Sequence, residues 1–221
     1  MTHHSNSLKF GLSLILGLAI SSYAQVDACS ETMGHTGNGT TITNNQTGSI
    51  SGTPWGFEIW FDGGNNSMTY YNNGTFKAQW SGSNDFLARV GYRYGDNGPG
   101  IDHNDYHFTV DYKYTKQSQS AGYGYIGVYG WTVNPQVEYY IVDDWYSKPN
   151  TQYIGDQFGE ITVDGAKYTI HAFLRQEEPS KTGTSTFLQI FSVRQTPRQC
   201  GHIDISAHFK KWEEIFTGQK E

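Results

Sequence analysis

The chain has 221 residues and a formal net charge of −6, a balance that argues against nucleic acid or an anionic membrane as partner. Aromatic residues make up 15% of it and charged residues only 16%. Long helical patterns are nearly absent, and aromatic and β-branched runs punctuated by Gly and Asn point to an all-β sandwich or barrel. Neutral polysaccharides suit such a composition, because sugar rings stack on aromatic faces and sugar hydroxyls pair with Tyr, Asn, Gln and Asp.

Lys9 leads into the apolar run Phe10 to Ile20, which is too short to span a bilayer, and then into Ser22-Tyr23-Ala24. Residues 1–24 are therefore expected to be a signal peptide cleaved before Gln25, and the protein to be secreted and extracellular, with no membrane partner once the signal is removed. About 200 residues remain, enough for one domain of two packed layers. Residues 25–53 are rich in Gly, Asn and Thr. They form either a flexible leader or an extension folded against the body at 54–221, the second if Cys29 is bridged. Cys29 and Cys200 are the only two cysteines. In an oxidising compartment a disulfide between them would stabilise the fold by on the order of 4–5 kcal/mol in the chain-entropy model. Asn38, Asn45, Asn65 and Asn73 each begin an N-x-Ser/Thr sequon.

From Trp55 strands are predicted at short spacing: Trp55 to Phe61, Ser67 to Tyr71, Thr75 to Trp80, Asp85 to Tyr94 and His107 to Lys116. Asn72-Asn73-Gly74 reads as a hairpin turn. Further on, Glu160 to Val163 and Lys167 to Arg175 flank a second, Asp164-Gly165, and Phe187 to Gln195 is another strand with Phe187, Gln189 and Phe191 on one face. At Ile205, Phe209, Trp212 and Phe216 the period becomes helical, with Asp204 or Ser206 as cap. Gly122-x-Gly124-x-x-Gly127 is not a dinucleotide fingerprint, since its glycines alternate with aromatics inside a strand and no helix follows. His103 and His107 bracket an acidic stretch but lack a third ligand, so neither a metal nor another cofactor is expected.

The stretch Tyr123 to Trp145 carries the chemistry. It reads as a hairpin whose first arm sets Tyr123, Tyr125, Gly127, Tyr129 and Trp131 on one face. The second arm sets Glu138, Tyr140 and Val142 on one face and Val137, Tyr139 and Ile141 on the other. A four-residue turn at Thr132 to Pro135 would place Trp131 opposite Gln136 and Tyr129 opposite Glu138. A carboxylate among tyrosines on a sheet face is the candidate nucleophile for glycoside hydrolysis, in which a retaining enzyme sets two carboxylates about 5–5.5 Å apart.

These residues resemble the glycoside hydrolase family 11 endo-1,4-β-xylanases. Pro135 to Trp145, preceded by Val128-Tyr129-Gly130-Trp131, is similar to the family's nucleophile signature. Pro179-Ser180-x-x-Gly183 resembles its thumb hairpin, Phe187 to Gln195 the strand after the thumb, and Ile205 to Trp212 its single helix. The resemblance implies a β-jelly-roll sandwich of two antiparallel sheets with one α-helix, acting as a monomer on xylan. It implies Glu138 as nucleophile, with Tyr129 and Tyr140 bonded around it and Tyr125 further along the same face. Trp60 would stack a xylose ring, Arg175 and Gln189 would position substrate, and Pro179 would touch it from the thumb tip. Asp85 occupies the position that tunes the acid/base, and an Asp there implies an acid-shifted optimum. In the family a further strand after the helix carries the acid/base glutamate. The 221 residues contain no such strand, so the expectation is Glu138 without its acid/base partner. The alternative is a non-catalytic xylan-binding sandwich or an inactive fragment.

Overall fold

The computed structural model describes residues 27–217 apart from positions 33, 93, 95–100 and 118–122. The expected signal peptide at 1–24 lies outside these residues. Two short strands come first, β1 (Thr40–Ile42) and β2 (Gln46–Ser49). They are followed by β3 (Trp55–Phe61), β4 (Ser67–Tyr70), β5 (Phe76–Gln79), β6 (Phe86–Tyr92), β7 (Thr109–Lys113), β8 (Tyr125–Trp131) and β9 (Val137–Trp145). A single helical turn, α1 (Thr151–Ile154), precedes β10 (Asp156–Val163), β11 (Ala166–Ser180), β12 (Gly183–Arg194) and β13 (Cys200–Asp204), and α2 (Ile205–Thr217) follows. Residues 40–49 are thus folded against the body: β1 pairs with β4 and β2 with β3. Cys29 and Cys200 form a disulfide.

The molecule is an all-β sandwich of two layers, as the sequence predicts. β1-β4-β5 packs against β2-β3-β6, and β13-β7 and α2 pack against β10-β11-β12-β9-β8. Strand alternation decides which side chains meet between the layers. Phe57 and Ile59 of β3 face Met68 of β4, and Phe86, Ala88 and Val90 of β6 join them. Ile141 of β9, Ile190 of β12, Tyr168 and Ile170 of β11, Ile203 of β13 and Trp212 of α2 form the larger core. The helix starts where Asp204 Oδ1 accepts the Ala207 N–H at 2.8 Å, satisfying one of the free donors of its first turn. Val163 and Ala166 pair across the Asp164-Gly165 turn, where both residues have positive φ, 49° and 70°. The one-turn α1 is an element the sequence periodicity does not reveal.

Among the described residues one pairing departs from purely antiparallel sheets: β12 runs parallel to β9. A parallel neighbour requires a long crossover, and α1, β10 and β11 supply it. That pairing builds the site, because it lays Gln189 beside Glu138.

Candidate active site

Glu138, Tyr140 and Val142 of β9 share the sheet face turned away from α2 with Phe187, Gln189 and Phe191 of β12. The opposite faces of the same strands carry Ile141, Ile190 and Ser192 toward the helix. The register of β8 against β9 corrects the expected hairpin: Tyr129 faces Tyr140 and Trp131 faces Glu138. Thr132 causes the difference. Its N–H donates to the Val137 carbonyl at 2.9 Å and its Oγ1 accepts the Val137 N–H at 3.1 Å, so the four-residue loop is 133–136, one position later. Each partner moves by two residues, which leaves every side chain on its expected face.

Glu138 is 8% exposed and accepts three hydrogen bonds. Tyr129 Oη donates to Oε1 at 2.8 Å, Tyr140 Oη to Oε1 at 2.9 Å, and Gln189 Nε2 to Oε2 at 2.6 Å. Arg175 Nε donates to Gln189 Oε1 at 3.1 Å, so the amide oxygen is engaged and the NH2 is left to face the carboxylate. Trp131 Nε1 donates to Tyr129 Oη at 3.0 Å and fixes that hydroxyl in the same way. Burial, followed by the neighbouring charges, holds Tyr129 and Tyr140 well above the ordinary tyrosine range, and Glu138 is among those charges for both. Both hydroxyls therefore stay protonated and act as donors. Aromatic rings wall the site: Tyr140 stacks on Phe191 at 4.4 Å, Trp131 lies 4.8 Å from Phe187, and Tyr125 meets Tyr140 edge-on at 6.5 Å.

Five of the predicted site residues, Glu138, Tyr129, Tyr140, Gln189 and Arg175, thus belong to one hydrogen-bonded network, and Tyr125 touches it through its ring. Trp60, Asp85 and Pro179 stand apart from that network. Trp60 is 43% exposed on β3, Asp85 accepts from Tyr123 Oη at 3.2 Å, and Pro179 pairs with Thr184 near the tip of the β11–β12 hairpin. Two residues were missed. Arg89 of β6 lies over the Tyr129 ring, 4.6 Å from its centroid, and is paired with Glu58 of β3 through Nε at 2.7 Å. A lone Arg alternating with Leu87 and Gly91 was the available signal. Among the described residues no group of His, Cys, Asp or Glu is arranged to hold a metal.

A buried carboxylate held by three donors on an aromatic-lined face can be presented in one fixed orientation to an electrophilic carbon above the sheet. The family model described as glycosyl hydrolases family 11 matches residues 54–219. The chain is 52% identical over 201 residues to endo-1,4-beta-xylanase C of Fibrobacter succinogenes, covering 86% of this chain and 32% of that protein. It is 39% identical over 177 residues to endo-1,4-beta-xylanase A of Bacillus pumilus, covering 79% and 73%. The chain thus spans about a third of the length of the Fibrobacter relative. The crystal structure of wild-type ENZbleach xylanase superposes with a TM-score of 0.78 at 35% identity, over 89% of this chain and 82% of that one.

Proposed function

Because the chain belongs to glycosyl hydrolase family 11, we propose that it acts on β-1,4-linked xylan by endo-hydrolysis with retention, using Glu138 as nucleophile. The carboxylate attacks the anomeric carbon as the bond to the leaving oxygen breaks and that oxygen takes a proton from solvent, and water later releases the glycosyl group from Glu138 and returns a proton to solvent. Tyr129, Tyr140 and Gln189 keep the attacking carboxylate oriented, and Arg175 acts through Gln189. Trp60, Tyr125 and Pro179 contact the sugar chain, and Asp85 adjusts the protonation of the site. The observation that carries this reading is Glu138 itself, buried and triply bonded on an aromatic face.

The proton for the leaving oxygen comes from none of the four glutamates near the thumb and on α2. Glu213 is bound to His103 at 2.8 Å and Glu214 to Lys211 at 2.7 Å. Glu177 and Glu178 lie in the β11 arm of the thumb hairpin. None of these four is therefore assigned as the acid/base partner of Glu138. The proposal extends to an exported protein, with residues 1–24 as signal and 54–221 as catalytic domain, since a disulfide forms in oxidising compartments.

A dinitrophenyl 2-deoxy-2-fluoro-xylobioside tests the nucleophile without needing an acid, because its leaving group departs unprotonated. The expected result is a protein heavier by one fluoroxylobiosyl group, with the label mapped to Glu138 and absent in Glu138→Gln. Xylan binding with no labelling would instead make the chain a non-catalytic binding sandwich.

A further inference from the structure

The Gln136 side chain ties the tip of the β11–β12 hairpin to the β8–β9 turn. Gln136 Nε2 donates to Ser185 Oγ at 2.9 Å, and Thr182 Oγ1 donates to Gln136 Oε1 at 3.0 Å. Ser185 Oγ in turn donates to Ser180 Oγ at 2.9 Å, Ser180 Oγ donates to the Gly183 carbonyl at 2.6 Å, and the Thr182 N–H donates to Ser180 Oγ at 3.2 Å. Each hydroxyl donates once, and the amide of Gln136 is used at both ends. Below the tip the hairpin changes register between Arg175 and Glu178, with Glu177 at φ 53°. One extra residue in β11 bends the strand there, so the tip is a separate lever joined to its sheet at a bulge.

Gln136 precedes Val137, which pairs with Leu188 of β12, and it stands two residues from Glu138. We propose that Gln136 is a positioning residue that latches the hairpin tip to the β8–β9 turn, so that breaking its two hydrogen bonds loosens the tip and weakens its hold on a xylan chain. This inference rests on the xylan reading above. The Gln136 side chain spans the gap between the tip and the turn, and no bond of the β11–β12 ladder does so.

Hydrogen–deuterium exchange and xylohexaose titration by calorimetry, run on the whole chain, test it. In Gln136→Leu the amides of residues 181–185 should exchange roughly tenfold faster and xylohexaose should bind roughly three- to tenfold more weakly, the range for two modest hydrogen bonds. The melting temperature and the exchange of β9 and β12 should stay unchanged. Gln136→Glu keeps the acceptor for Thr182 but loses the donor to Ser185, and should recover part of each effect. Unchanged tip exchange in Gln136→Leu would overturn the latch alone. A faster tip with wild-type affinity would overturn its role in substrate positioning. Absence of xylohexaose binding by every protein would sink the xylan reading and the positioning role with it.

Discussion

Glu138 was legible in the sequence because alternation alone separates Tyr140 from Tyr139 and Ile141, and a two-residue error of register does not change a face. The face of Gln189 on β12 was legible by the same logic, whereas its place in the site came from the family resemblance. Arg89 was not, since its role depends on β6 approaching β8 in space. His208 was also hidden: it occupies an ordinary helical position, yet it is fully buried, with Nδ1 2.9 Å from Ser192 Oγ and Nε2 unpartnered. Burial drives its pKa down to about 3 from 6.5, against a smaller opposing effect of Asp143. Between those two values the unfolded chain binds the proton and the folded chain does not. This contribution to stability is therefore complete above about pH 6.5 and lost as pH falls toward 3, by up to about 1.4 kcal/mol per pH unit. Urea unfolding between pH 7 and 4 should show that slope, and His208→Gln should flatten it. A slope identical in both proteins would assign the acid loss to carboxylates instead.

At the scale of elements, turns and strand phases could be read from Asn-Gly and Asp-Gly pairs and from alternation, but a bulge could not. Ile126 faces Asp144 and Gly127 faces Val142, so Asp143 is an extra residue in β9. Regular alternation would send Asp143 and Asp144 to opposite faces. With the bulge, both carboxylates meet the tyrosines at the end of β7. Asp143 accepts from Tyr112 at 2.7 Å, Tyr168 at 2.7 Å and Arg198 at 2.7 Å, and Asp144 binds Tyr114 and Lys116. Gly127 permits this geometry. Its φ is +157°, and an added Cβ would lie 2.0 Å from the Ile141 carbonyl oxygen. Gly127→Ala should cost roughly 2–4 kcal/mol, the sum of backbone strain and overpacking. A denaturation midpoint within error of the parent would show that β8 relaxes around the methyl group.

At the scale of the whole molecule, composition was enough for the class, and cysteine count with compartment was enough to suggest the bridge. The parallel pairing was out of reach, because nothing local marks β9 as the neighbour of a strand about 50 residues later. Cys29 and Cys200 are 171 residues apart, and Lys113 Nζ reinforces their junction by donating to the carbonyls of Cys29 at 2.8 Å and Glu31 at 2.9 Å. Replacing both cysteines by serine should lower the melting temperature by roughly 5–15 °C, as expected for losing a long-loop bridge in a domain of this size. An unchanged melt would mean that the pairing of β1 and β2 already fixes this end. The link between Gln189 and Glu138 also has a consequence in time. A ribosome adds about 5–20 residues per second, so the 51 residues between them separate the two halves of the site by roughly 3–10 s. For that interval β9 exists without the strand that completes it, with one hydrogen-bonding edge open and Glu138 lacking the amide that holds Oε2. A chaperone that covers nascent β-edges should therefore raise the yield of this protein chiefly during the synthesis of residues 146–189.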